Sequence, residues 1–234
     1  MSSYVIAPRA PPSVAVAGQA GRFPVHRIFC VGQNYASHAR EMGSDPERQP
    51  PFFFMKPATA LLADGEPLPY PPRTHNLHHE VELVAAIGRG GRDLSAGEAL
   101  AHVYGYAVGN DYTRRDLQAL AKETRRPWDA GKAFDHSAAV GALHPVASGG
   151  HPRRAPIWLS VNGVERQRGD IADMIWDVAG VLAELSTLFR LEAGDLVYTG
   201  TPAGVGPVGP GDVVVAGIDG LGTLTNTITA PTVA

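Results

Sequence analysis

Sulfur chemistry is nearly absent from this chain: of 234 residues only Cys30 is a cysteine. One thiol forms no internal disulfide and builds no multi-cysteine zinc site. Its neighbours in "RIFCVG" are apolar, so it reads as a small buried hydrophobe rather than a nucleophile. An excess of charge of either sign is also missing. The net charge is −3 and the basic residues are scattered, which leaves no footprint for nucleic acid or an anionic membrane. Long apolar runs are lacking as well, because Asp177 and Glu184 interrupt the best candidate for a membrane span. Pro8, Pro11 and Pro12 stand where a signal peptide needs a continuous apolar core. The expectation is a soluble, cytoplasmic protein without nucleic-acid or membrane partners.

What is plentiful is punctuation. Glycine (27) and proline (20) are spread through the chain without period, which excludes collagen and predicts many turns between short strands. The length suits one domain, residues 1–234, with residues 1–25 a short strand-and-turn segment. Strand-like runs include "HRIFCVG", "PFFFMKP", "EVELVAAIG", "YGYAVGNDYT" and "DLVYTG", and "IWLSVNGVERQR" reads as a hairpin turning at Asn162-Gly163. The proline-rich stretch 64–74 excludes both helix and central strand. Helical spacing is clearest over 173–189, and shorter helices are expected at "SAGEALAHV" and "RRDLQALAKE". The predicted class is mixed and predominantly β with a few helices, without alternating βα units.

Chemistry concentrates in a few places. In "HHEVEL" the alternation of a strand sends Glu80 and Glu82 to one side and Val81 and Leu83 to the other. Two carboxylates on one face of an apolar strand repel, so either that face is wet or something positive sits between them. Asp111 ends a second apolar strand, and an all-oxygen set of three carboxylates suits a hard cation such as Mg²⁺ or Mn²⁺. An ordinary solvent-facing alternation remains open. His75, His78 and His79 form a competing cluster, but they follow a proline run instead of lying on the helix a zinc protease motif requires. In "GQNYASHAREMG", His38 and Glu41 are three residues apart, a spacing that lets a carboxylate orient an imidazole if the segment is helical. A solvated turn is the alternative. Lys132 in "AGKAFDHS", Lys56 in "FFFMKP" and Arg115 in "DYTRRDLQ" read either as binding cations or as surface charges. "GRGGRD" and "YTGTPAGVG" match neither a dinucleotide fingerprint nor a P-loop, and the second, with Thr199 and Thr201, reads as an anion-holding turn or a bare loop.

The ordered set "VGQNYASHAREMG", "PFFFMKPATALL", "HHEVELVAAIG", "YGYAVGNDYTRRDLQ", "GKAFDHSAAVG", "LSVNGVERQ" and "GDLVYTGTPAGVGPV" resembles the fumarylacetoacetate hydrolase family from about residue 25 onward. "RRPWDAGKAFDHS" and "IWLSVNGVERQ" most resemble its bacterial fumarylpyruvate hydrolases of gentisate degradation. The resemblance implies a β-roll fold and a Mg²⁺ or Mn²⁺ site at Glu80, Glu82 and Asp111. It further implies a His38–Glu41 dyad on a lid helix, a catalytic Lys132, and a substrate pocket lined by Lys56, Arg115, Gln118 and Thr201. The implied reaction is hydrolytic C–C cleavage of a 2,4-dioxo acid, 3-fumarylpyruvate to fumarate and pyruvate, by a homodimer. Acylpyruvate hydrolysis, oxaloacetate decarboxylation and 2-oxo acid hydration or isomerisation are alternatives on the same site, and an inactive metal-binding protein is a distant one. His79 departs from the family pattern, which usually has an aromatic residue before the first metal glutamate. Arg125 and Arg126 in "KETRRPW" are candidates to read a distal substrate carboxylate, with Lys56 next.

Overall fold

The computed structural model of the protein describes residues 4–41 and 50–231. Its largest element is an eight-stranded mixed sheet. Seven strands follow the order Phe52–Lys56, Ile28–Gly32, Leu196–Tyr198, Val81–Ile87, Val103–Asp111, Ala138–Val140, Leu61–Ala63, and His144–Pro145 adds to the strand Val103–Asp111. A five-stranded sheet runs Val164–Asp170, Pro156–Val161, Val213–Ile218, Gly222–Thr229, Leu68–Pro69. A small three-stranded sheet joins Thr113–Arg114, Leu77–His79 and Gly206–Val208. The class is mixed and mostly β, as the turn-rich composition predicts.

The two-residue period of the strands explains how one sheet serves two cores. Phe29 and Val31 point to one side, where Leu83, Ala85 and Ile87 meet Ile157, Leu159, Val214 and Ala216 of the five-stranded sheet. Ile28 and Cys30 point to the other, against Val84, Ala86, Leu196 and Tyr198. The second face is covered by the hairpin of Ser13–Ala15 and Arg22–Pro24, through Val14, Val16, Phe23 and Val25. At roughly 1.5–3 kcal/mol for each fully buried apolar side chain, this segment is an integral cover of the sheet. Cys30 is fully buried with its thiol pKa pushed well up by desolvation, in keeping with an inert hydrophobe.

Covering both faces has a consequence for the carboxylates. All seven residues of Val81–Ile87 are buried, so the solvent-facing alternation left open for Glu82 does not occur. The hairpin at Asn162-Gly163 forms with both residues at positive φ, 53° and 76°. The proline-rich stretch contributes only Leu68–Pro69, an edge strand beside Ile228 and Thr229. The long helix differs from its expected 173–189 and spans Val178–Leu188. Asp177 is its N-cap, accepting a hydrogen bond from Gly180 N at 2.8 Å, while the N–H groups of Ile175 and Trp176 are taken by Asn34. Apolar spacing continues past the cap, but the backbone does not.

Candidate active site

Glu80 lies in the break between strands Leu77–His79 and Val81–Ile87, and its backbone N–H is held by the Asn110 side chain at 2.8 Å. Asp111 closes the neighbouring strand, its N–H bound to Glu80 O at 2.8 Å. This pairing brings carboxylate oxygens of Glu80, Glu82 and Asp111 within 4.8 Å of one another, all three buried. Cations surround two of them. Lys132 Nζ donates to Glu80 Oε2 (2.8 Å), Asp111 Oδ2 (2.7 Å) and Thr113 Oγ1 (2.7 Å). Arg115 donates to Glu80 Oε1, and Lys56 Nζ lies 2.7 Å from Asp111 Oδ1. Burial favours a neutral Glu80, but Lys132 and Arg115 outweigh it and hold the group below the usual carboxylate range. Lys132 shows the mirror image: burial lowers its proton affinity, and Asp111 and Glu80 more than restore it.

Glu82 is the exception. It accepts one hydrogen bond, from Gly200 N at 2.7 Å, and among the described residues no lysine or arginine pairs with it. Desolvation first, then the charges of Asp111 and Glu80, push its pKa well up. A buried carboxylate without a cation, beside two others, is a site with capacity for positive charge. Its all-oxygen donors fit Mg²⁺ or Mn²⁺, whereas His78 and His79 are engaged elsewhere.

The triad opens onto a narrow cleft also lined by His38, Phe54, Arg115, Gln118, Lys122, Trp128, Lys132 and Thr201. His38 sits on the helix Ala36–Glu41, and its Nδ1 is 3.1 Å from Glu41 Oε2. The i,i+3 spacing therefore does place the two side chains together. The lid segment expected from the sequence runs over 34–42, and residue 42 lies outside the described residues. Gly204 N donates to both Glu41 oxygens, at 3.1 and 3.2 Å, so the "GTPAGVG" turn anchors the carboxylate that orients the imidazole. Gly204 has φ +95°, and a Cβ there would lie 2.2 Å from Arg166 O, so only glycine serves. Asn34 secures the start of this helix by donating to Thr199 O and Trp176 O, both at 2.8 Å.

A model of the fumarylacetoacetate (FAA) hydrolase C-terminal domain matches residues 27–229. The chain belongs to the fumarylacetoacetate hydrolase family. Among solved structures, the fumarylpyruvate hydrolase of Pseudomonas aeruginosa in complex with Mn²⁺ and pyruvate is 53% identical, with a TM-score of 0.95 over 97% of this chain and 100% of that one. Among curated relatives, the oxaloacetate tautomerase YcgM of Escherichia coli (strain K12) is 42% identical over 85% of this chain and 90% of its own length. The mitochondrial oxaloacetate decarboxylase of Dictyostelium discoideum is 40% identical over 84% of this chain and 90% of its own. Among the described residues no helix is long and apolar enough to cross a membrane.

Of the residues that the family resemblance implicates, Glu80, Glu82, Asp111, His38, Arg115, Gln118, Lys132 and Thr201 all line one cleft, and Glu41 stands behind His38. Lys56 does not line it. Its fully buried ammonium lies beyond Asp111 and binds the backbone oxygens of Tyr112 and Lys132, so it is a support of the triad instead of the expected pocket contact. Arg125 and Arg126 are exposed and absent from the cleft. The helix Arg115–Glu123 ends before them, and Arg125 turns away at φ 53°. His79, the odd residue in the fumarylacetoacetate hydrolase pattern, is buried and its Nδ1 lies 2.9 Å from Gln167 Oε1. Gln167 also accepts from Val81 N (3.1 Å) and donates to Thr201 Oγ1 (2.7 Å) and Pro202 O (2.9 Å), fixing Thr201 on the cleft wall. Sequence reasoning missed Gln167. Its local signal is an amide at the one fully buried position of the strand Val164–Asp170.

Proposed function

We propose that the protein is a divalent-cation-dependent hydrolase that cleaves 3-fumarylpyruvate to fumarate and pyruvate. The observation that carries the reading is Glu82, a buried carboxylate with no cation of its own, beside Glu80 and Asp111 and on one cleft with His38. Glu80, Glu82 and Asp111 would hold Mg²⁺ or Mn²⁺. When bound, the cation supplies Lewis-acid polarisation of the substrate's 2-oxo end and accommodates the charge left on pyruvate. His38, oriented by Glu41, takes a proton from the water that attacks the C4 carbonyl. The C3–C4 bond then breaks, its electron pair stays with the pyruvate carbon, and His38 returns the proton there. Arg115 and Gln118, which share a hydrogen bond of 2.6 Å, line the cleft together with Thr201, and these three would orient the acid. The three N–H donors of Lys132 are committed to Glu80, Asp111 and Thr113, so serving the oxyanion at C4 requires exchange of one of these contacts. The neighbour that binds Mn²⁺ and pyruvate supports the reading.

A second reading, oxaloacetate tautomerisation or decarboxylation, is favoured by the names of the curated relatives. The same His38 would move a proton between C3 and the enol oxygen. Wild-type protein loaded with Mn²⁺ should be compared on fumarylpyruvate, acetylpyruvate and oxaloacetate. The hydrolase reading expects the highest kcat/KM for fumarylpyruvate with equal release of fumarate and pyruvate. Turnover of oxaloacetate alone selects the second reading.

A further inference from the structure

The helix Arg115–Glu123 lays a graded set of polar groups along the cleft. Arg115, Gln118 and Lys122 are spaced i, i+3 and i+7, which puts them on one helix face, and all three line the cleft. Arg115 is the end nearest the carboxylates, since it binds Glu80 directly. At 1.5 Å per residue, Lys122 lies about 10 Å further along the helix axis. Helical side chains lean toward the N-terminus, so the lysine stem reaches back over the cleft and shortens that span.

Lys122 is half-buried, and among the described residues no carboxylate lies within ion-pairing distance of it. Its Nζ is 5.0 Å from the centre of the Trp128 ring, and Trp128 is itself wedged against Phe52 and Phe54 at 5.2 and 5.7 Å. The ring face holds the ammonium in place without neutralising it. Desolvation first, then the charge of Arg115, weakens its hold on a proton, and the charge of Glu80 offsets this only in part.

We propose that Lys122, held against Trp128, reads the distal carboxylate of a long 2-oxo diacid whose other end is anchored at the Glu80, Glu82 and Asp111 site. The inference rests on the proposed binding of the 2-oxo acid end there. In fumarylpyruvate the second carboxylate is five bonds from the 2-oxo carbon, roughly 6 Å along an extended chain. In oxaloacetate it is two bonds away and remains at the Arg115 end. Lys122 therefore selects the longer diacid, a task that Arg125 and Arg126 cannot perform from outside the cleft.

The test is a binding measurement on the full-length Mn²⁺-loaded protein, so it does not depend on turnover. Two unreactive probes of equal length are titrated by calorimetry: 2-oxoheptanedioate and 2-oxoheptanoate, which differ only in the distal carboxylate. Wild type should prefer the diacid by about tenfold or more, and added salt should erode that preference. Lys122→Met and Lys122→Gln should each abolish it while changing the monoacid affinity by less than about twofold, and Lys122→Arg should keep most of it. A preference that survives in both neutral variants, or a matched loss for both probes, overturns the proposal, as does a wild type that binds neither probe. If the Lys122-dependent preference is present but fumarylpyruvate is not cleaved, the hydrolase reading falls and the carboxylate reader stands.

Discussion

Replacing Gly131 with alanine tests how tightly the cleft is built. Gly131 belongs to the one-turn helix Asp129–Lys132, which packs on the helix carrying Arg115, Gln118 and Lys122. A Cβ at residue 131 would stand 2.9 Å from Gln118 N and 3.1 Å from both Gln118 Cα and Cβ. Two of the three contacts are backbone in a neighbouring helix, which yields only if the helices part by several tenths of an ångström. Overpacking of this kind costs about 1–3 kcal/mol. Alanine returns roughly 0.5–1 kcal/mol through the reduced freedom of the unfolded chain. The net expectation is a loss of up to about 2.5 kcal/mol, centred near 1 kcal/mol and read as a lower urea midpoint at unchanged m. Because Lys132 follows directly and is held to Glu80 and Asp111 at 2.8 and 2.7 Å, the displacement should also cut kcat by roughly tenfold to a hundredfold with Mn²⁺ saturating. A Gly131→Ala protein that is as stable as wild type and fully active would refute the claim that this contact positions the lysine.

Other perturbations follow the same geometry. Glu82→Gln retains an acceptor for Gly200 N–H but removes a carboxyl whose ionisation is disfavoured by burial and by Asp111 and Glu80, so above the ordinary carboxylate range the metal-free protein should melt at a higher temperature while Mn²⁺ binding is lost; a lower melting temperature would contradict a folding cost at this carboxyl. His38→Ala should lower kcat by about a hundredfold or more with a modest change in KM, and Glu41→Gln should act in the same direction but less, whereas a rise in KM alone would make His38 a substrate contact. Gln167→Leu strands Val81 N–H and the His79 ring, so it should destabilise by about 2–4 kcal/mol in chemical denaturation and raise KM through Thr201; an unchanged midpoint would remove Gln167 from its supporting role.

The parts of the site that were legible in the sequence are those carried by local period. Glu80 and Glu82 stand out because they alternate in an apolar run, although Glu80 itself falls in the break before the strand Val81–Ile87, and Asp111 because it ends another strand, while His38 and Glu41 follow the helical i,i+3 rule. Positions that depend on where a helix stops were not legible. Lys122 and Arg125 are three residues apart, yet the helix ends at Glu123, so one lines the cleft and the other faces solvent. The same limit shifted the start of the helix Val178–Leu188, where Asp177 caps a backbone whose apolar spacing runs on upstream. Gln167 was hidden for another reason. Its partners His79, Val81, Thr201 and Pro202 are at least 34 residues away, and only the docking of the five-stranded sheet brings them together. Lys56 shows the reverse error: its residue type suits a substrate contact, but fully buried it serves Asp111.

Under the proposed function, the three buried carboxylates would hold the cation on which a dioxo acid is cleaved. The most direct measurement is quantification of fumarate and pyruvate by NMR after fumarylpyruvate is given to chelator-treated protein, before and after Mn²⁺ is restored, with Glu82→Gln run in parallel. Cleavage should be absent without the cation, both products should be released in equal amounts once it returns, and Glu82→Gln should release neither under either condition. Full cleavage by the chelated protein, or by Glu82→Gln, would contradict the proposed function.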